Sequence, residues 1–483
     1  MTPGMRRPRI WIAVALAIVP AVVIPIGAVA TSGGTPSFTR SVAPVIAEKC
    51  AGCHQIGGIA PFPLETSKQI AARSSAIGAA VQAGVMPPWP PGKRSPAYVG
   101  QAARTLTGQQ RAAIVVWAAK GGKVDGPARK PAAPQRPEVR TGEQVLSLRM
   151  PTAYRPSAAK GATDDYRCFL LDPKQVADGS VTSVRIDPGQ PKVVHHVILF
   201  RAAPGLVDDA KRLDTGSAGP GWSCFGGSGL PAGDAGGFAE SLNDANWIAA
   251  WAPGWGGNRL PDGTGVELPA GSQIVMQVHY NLLNGRGPDR SRAVLTVAPA
   301  SAGLKPLETM LLPGPVELAC AKAEQATTLC DRNEALFDLA RKYGTGSAFT
   351  PAGLLILCRG NAANPVASAV STCDRRISTT TTIHVAAGHM HLLGAAVKVE
   401  LNPGTSRAKV LLDIPRWDFH WQNAYTLVRP VVAQPGDVVR VTCRHDVGKR
   451  RDAVGIPRAP RYVLWGEGTT DEMCLGILQV TRG

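Results

Sequence analysis

The sequence predicts a small all-α domain followed by two all-β sandwich domains. Three observations predict it. A capped apolar stripe ending before Gly121 marks a helix, downstream of a Cys-Ala-Gly-Cys-His cluster at residues 50–54. A Pro-rich basic stretch then interrupts the chain. Beyond residue 146, runs of Val, Ile and Leu recur with turn residues roughly every 8 to 15 positions, the texture of sandwiches or barrels.

Residues 1–30 carry Arg6, Arg7 and Arg9, an apolar run from Ile10 to Ala30, and small residues at Ala28 and Ala30. This reads as a secretory signal cleaved after Ala30, or as an N-terminal anchor if retained, with Pro20 and Pro25 kinking a helix there. The expected location is periplasmic or otherwise extracytoplasmic. Ten cysteines fit that compartment. Cys50 and Cys53 belong to one motif, which leaves eight thiols and roughly a hundred possible pairings. The formal charge of +17 is spread thinly, with one short cluster at Lys449, Arg450 and Arg451, and no aromatic residues interleave with it. It reads as a solvated surface, and nucleic acid is not an expected partner.

In the helical region, residues 35–122, the C-x-x-C-H pattern is the one in which two thiols bond to haem vinyl groups and the adjacent His54 ligates iron. A redox C-x-x-C is the alternative, but no thioredoxin-like strand and helix surround it. Met86 follows in a turn stiffened by Pro87, Pro88, Pro90 and Pro91, where its thioether can complete a His/Met iron pair. Thr107 and Gln110 form a capping box ahead of an apolar stripe of Ala113, Val116 and Trp117. The region resembles the c-type cytochromes as a whole, which implies an electron-transfer domain with covalent haem c. Residues 123–145, with Pro127, Pro131, Pro134 and Pro137, form a semi-rigid linker.

The remaining stretch, about 340 residues, exceeds what one sandwich usually holds, so two are expected, at 146–303 and 304–483. Its histidines are placed unusually. His195 and His196 are adjacent within a strand, so pleating points them to opposite faces unless a bulge or strand end brings them together. His279 alternates with Gln277 and Val275, away from the apolar face of Ile274, Met276, Val278 and Tyr280. His389 and His391 are two apart and share a face, with Gly388 and Gly394 allowing close backbone approach. Met473 adds a soft thioether, which suits copper better than zinc or magnesium.

The order and contexts of these residues resemble the copper type II, ascorbate-dependent monooxygenases, a family that includes peptidylglycine- and dopamine-hydroxylating enzymes. The resemblance covers about residues 146–483 in pieces: Asp165–Cys168, His195-His196-Val197, Trp251 through Val266, Gln277–Tyr280, His389–Gly394 and Gly468–Cys474. It implies two jelly-roll-like β domains with one copper on each, facing a water-filled cleft. His195, His196 and His279 would hold an electron-storing copper; His389, His391 and Met473 would hold the copper that binds dioxygen. It also implies Cys168–Cys224 and Cys443–Cys474 disulfides, and leaves Cys320, Cys330, Cys358 and Cys373 open. His384, His420 and His445 map to no role and are taken as structural.

The implied reaction hydroxylates a C–H bond of a small substrate with O2, with the second oxygen leaving as water. Two electrons are needed, from ascorbate or another external donor, and the fused haem is expected to relay them to the His195 copper. In peptide-amidating members an Arg, an Asn and a Tyr anchor the substrate carboxylate; the matching positions here are Ala387, Leu475 and Ile477, which argues against a peptide ending in glycine. Two alternatives are a haem and copper electron-transfer protein without oxygenase activity, and a β domain that merely docks a partner.

Overall fold

The computed structural model describes residues 34–483 apart from 57–59, 131–136, 159–163, 225–226, 232–245, 253–256, 283–284, 325–326, 420, 452–458 and 469. The expected signal at residues 1–30, part of the linker, and His420 lie outside the described residues.

Short helices come first: α1 (Ala43–Lys49), α2 (Ser67–Ala71), α3 (Ser74–Gln82), α4 (Gln101–Arg104) and α5 (Gly108–Ala119). The capping box forms, with the Thr107 side chain accepting from the Gln110 N–H and the Gln110 side chain accepting from Thr107 N–H. The buried face of α5 is Ile114, Trp117 and Ala118, which corrects the stripe read as Ala113, Val116 and Trp117. Trp117 lies against Phe38 at 5.7 Å, and Ile114, one turn before it, shares that face. Phe38, Ile46, Ile70 and Ile77 complete this core.

The chain after α3 leaves the helical core and runs along the last β-sandwich. Gly92 N–H donates to Asp413 O at 2.7 Å, Arg94 Nε pairs with the Asp413 carboxylate at 2.8 Å, and Tyr98 Oη donates to Leu411 O at 2.8 Å. Tyr98 is a member of that sandwich's core. Residues 92–99 therefore belong structurally to the C-terminal part, although the sequence assigns them to the helical region.

The first pair of sheets uses β1 (Gln144–Arg149), β2 (Asp164–Leu171), β3 (Gly179–Asp187), β4 (Val194–Ala202), β5 (Trp222–Ser223), β6 (Trp247–Trp251), β7 (Asn258–Arg259), β8 (Thr264–Leu268), β9 (Gln273–Asn281), β10 (Arg292–Pro299) and β11 (Lys305–Pro306). One sheet runs β1-β10-β3-β8-β11, with β7 beside β3; the other runs β5-β2-β9-β4-β6. Ile274, Met276, Val278 and Tyr280 of β9 enter the core shared by both sheets, as their alternation predicts.

The second pair uses β12 (Glu308–Gly314), β13 (Glu317–Leu318), β14 (Val370–Arg376), β15 (Thr381–His389), β16 (Gly394–Leu401), β17 (Lys409–Ile414), β18 (Ala424–Ala433), β19 (Val438–His445), β20 (Val463–Leu464) and β21 (Cys474–Arg482). Its sheets run β12-β21-β15-β18 and β14-β19-β16-β17, and β13 pairs with β20. The expectation of two all-β domains is corrected by helices. α6 (Val207–Thr215) follows β4, and α7 (Arg332–Tyr343) and α8 (Thr345–Leu357) lie between β13 and β14. Asp331 caps α7, accepting from the Asn333 and Glu334 N–H groups.

Four disulfides are present among the described residues: Cys168–Cys224, Cys320–Cys330, Cys358–Cys373 and Cys443–Cys474. Two match the pairs implied by resemblance, and the two left open flank the helical insertion. Disulfides form in oxidising compartments, so the bonded sulfur fits an extracytoplasmic chain. Among the described residues no helix is long and apolar enough to cross a membrane.

Candidate metal centres

The first centre depends on an irregularity that the sequence only demanded. β4 pairs antiparallel with β9, and the register shifts between Val194 and His196, so that His196 stands opposite His279. The displaced His195 turns to the same side as its neighbour. His195 Nδ1 lies 3.4 Å from His196 Nδ1, which lies 3.2 Å from His279 Nδ1. One ligand atom from each ring falls within 4.8 Å of the others, a spacing that one ion can bridge.

Neighbouring groups fix these rings. Asp164 Oδ1, on β2, lies 2.8 Å from His279 Nε2 and accepts the proton there, which leaves Nδ1 with its lone pair. Asn281 Nδ2 holds the same oxygen at 3.1 Å. Tyr166 stacks on His279 at 4.2 Å, and Phe419 of the second sandwich stacks on His195 at 4.6 Å. Burial, reinforced by the adjacent imidazoles, holds His196 well below the usual histidine range. A neutral imidazole is the form that binds metal.

The second centre sits at the end of β15, where β21 begins. His389 pairs with Leu475, and Met473 lies two residues before it on the same side of β21. The His389 and His391 rings stand 5.1 Å apart. His389 Nδ1 meets Gln422 Oε1 at 2.5 Å, and His391 Nδ1 meets Asp471 O at 3.3 Å. Burial pushes His389 down to about 4 and His391 well below its ordinary value.

A buried glutamate joins the two segments of this centre. Glu472 accepts from the backbone N–H groups of His391 at 2.8 Å, Leu393 at 2.6 Å and Met473 at 2.9 Å. Burial raises its carboxyl to about 7 in spite of these donors. Trp417 Nε1 donates to His391 O at 3.1 Å. A Cβ on Gly394 would lie 2.6 Å from Trp417 Cδ1, so the close approach read from the sequence is sterically required.

The two sets are near each other. The His196 and His389 rings are 6.3 Å apart, and Phe419 lies 4.6 Å from His195 and 6.1 Å from His391. His196, His389, His391 and Met473 line a single cavity of about 340 Å³ between the sandwiches. Ala387, Leu475 and Ile477 line it too. His384 bonds to Thr481 Oγ1, and His445 lies between Met473 O and Glu472, so both stay in packing roles.

In the helical region Cys50 and Cys53 are unpaired thiols in the turn after α1, while the other eight cysteines are bonded. His54 Nδ1 lies 2.9 Å from Phe62 O, which leaves Nε2 as the available donor. Met86 is half-buried in the turn after α3. Ile56 and Val85 in this region are exposed apolar side chains. Free thiols, an oriented imidazole and uncovered apolar surface fit a covalent haem.

Sequence reasoning missed Asp164, Gln422 and Glu472. The last was readable in principle, because an acid beside a buried Met and Cys has to be satisfied by nearby donors.

Fold and sites together define a protein of two β-sandwiches with a histidine set on each. Residues 359–479, about a quarter of the chain, match the family model described as copper type II ascorbate-dependent monooxygenase, C-terminal domain. That segment includes His389, His391 and Met473, and the match supports the copper type II monooxygenase family. No curated protein matches the chain. Among solved structures it is similar to the major capsid protein P2 from bacteriophage PM2, at 9% identity over 70% of this chain and 97% of that chain, with a TM-score of 0.22. It is also similar to the infectious bursal disease virus VP2 subviral particle, at 9% identity over 73% and 74% with a TM-score of 0.16. At these TM-scores neither likeness bears on fold or function.

Proposed function

We propose that the chain is an exported copper monooxygenase that hydroxylates a C–H bond of a small molecule. The observation that carries this reading is the cavity: it is lined by His196 of one histidine set and by His389, His391 and Met473 of the other. His195, His196 and His279 would hold one copper; His389, His391 and Met473 would hold the second. Bound copper would store one electron at the first set and activate dioxygen at the second.

The protein residues supply orientation. Asp164 fixes the His279 tautomer, Gln422 fixes His389, and Glu472 keeps the His391 turn against the Met473 strand. Burial keeps His196, His389 and His391 neutral. One substrate C–H, one O2, two electrons and two protons give one alcohol and one water. The electrons would come from ascorbate or another one-electron donor; Cys50, Cys53, His54 and Met86 would hold a haem c, which would supply one-electron transfer from within the chain.

Metal analysis and labelled oxygen test this. The expected result is two coppers and one iron per chain, and one atom of ¹⁸O from ¹⁸O2 in the product. Copper-loaded protein that consumes no oxygen with any reductant would leave an electron-transfer protein instead.

A further inference from the structure

We infer that the cavity takes an uncharged molecule with a predominantly hydrocarbon surface. The inference rests on the monooxygenase reading for the fate of that molecule but not for its binding.

One wall is a face of the β12-β21-β15 sheet. Alternation puts Leu311 and Pro313 of β12, Leu475 and Ile477 of β21, and Val385 and Ala387 of β15 on that face. The same face ends at His389. The opposite wall comes from the first sandwich, with Ile198 and Phe200 of β4 and their partners Ala250 and Trp247 of β6. The two polar side chains on the sheet wall, Thr309 and Gln479, face each other across β12 and β21 and carry no charge.

Among the described lining residues the ionisable groups besides histidine and tyrosine are Arg201 and Glu467. Arg201 has the strand parity of Val197 and Leu199, opposite to Ile198 and Phe200. Its guanidinium donates to Glu267 O and Asn246 Oδ1, at 2.8 and 3.0 Å. Burial raises the Glu467 carboxyl to about 8, which favours its uncharged form. Two of the lining amides are held by the protein. Gln277 donates to Cys224 O and Gly227 O, and Gln422 spans His389 and Phe419 O.

In the copper-free protein an ion entering this space would lose its hydration and, among the described residues, would meet no opposite charge directed into it. A hydrocarbon surface would instead be removed from water against apolar walls. The volume of about 340 Å³ is at the lower end for small-molecule pockets, which suits one compact molecule and not a folded peptide.

The test uses the full-length protein, with and without copper, and three probes of matched shape: cyclohexylmethanol, cyclohexanecarboxylate and cyclohexylmethylammonium. Binding is measured by calorimetry and by the fluorescence of the cavity tryptophans. In the copper-free protein the alcohol is expected to bind at least about ten-fold more tightly than either ion at pH 7. Ile477→Asn should weaken alcohol binding about five-fold or more, while Ile477→Val should retain it, with thermal melts confirming that both fold. Equal or tighter binding of an ion to the copper-free protein, or no binding of the alcohol, would overturn the inference. Alcohol binding by a chain that takes up no copper would sink the monooxygenase reading and leave the pocket assignment standing.

Discussion

Asp164 and Glu472 contribute to the histidine sets without being among the six proposed copper ligands. Asp164 orients His279, so Asp164→Ala should weaken copper at the first set by about 10- to 100-fold while the second set keeps its ion. A competition titration against a chromogenic chelator would read this as a loss of one copper of two, and an unchanged titration would remove Asp164 from its positioning role. Elsewhere, Arg259 holds Glu143 through two close contacts and lowers its carboxyl from 4.5 to about 2. Because the folded value is the lower one, the pair stabilises the protein above pH 4.5, and that contribution disappears as pH falls towards about 2. In urea melts at pH 6, Glu143→Gln should cost about 1.5–3 kcal/mol, and the difference should shrink to nothing near pH 2.

Among the elements, the strand ends carry most of the function. The β15 end, the turn through His391 and the start of β21 converge because Gly394 lets the Trp417 ring approach and because Cys443–Cys474 ties β19 to β21. Gly394→Ala places a methyl against Trp417 and Met390, and should destabilise by about 1–3 kcal/mol. Copper occupancy at the second centre should fall with it, as read by the copper-to-protein ratio after dialysis. Replacing Cys443 and Cys474 together by Ser should cost about 2–5 kcal/mol and lower the melting temperature. A melt that does not move would mean that the Glu472 network alone sets the geometry.

For the whole molecule, the N-terminal helical part is attached through its own chain to the second sandwich. Asp413 accepts from Gly92, Arg94 and Ser95 through backbone and carboxylate oxygens, and Tyr98 packs with Trp89 and Tyr425 at ring distances of 6.2 and 5.1 Å. Tyr98→Ala removes a buried aromatic ring and its bond to Leu411 O, and should cost about 3–5 kcal/mol. Limited proteolysis should then cut first between residues 84 and 104, while protection of the first sandwich stays unchanged. Cutting elsewhere would mean that this strap is not the weakest part of the attachment.

The chain's periodicities determined much of this by themselves. The alternation in β9 placed four apolar residues in the core and His279 on the other face, and the Thr107 capping box fixed the start of α5. The His-x-His spacing put two imidazoles at one strand end. These are local properties, set by the two-residue repeat of a strand and by bonds within one helical turn. The sequence reading stated that His195 and His196 need a bulge to converge, but where the register slips is decided by the pairing of β4 with β9. The helical insertion between Cys320 and Cys373, the strap of residues 92–99, and the carboxylates Asp164 and Glu472 were likewise decided by tertiary structure. Each depends on groups far apart in sequence, whose satisfaction is a property of the packed interior and leaves no repeat in the chain. The cavity belongs to the same class: Ala387, Leu475 and Ile477 are ordinary apolar strand residues until the two sandwiches face each other and enclose them with the histidines.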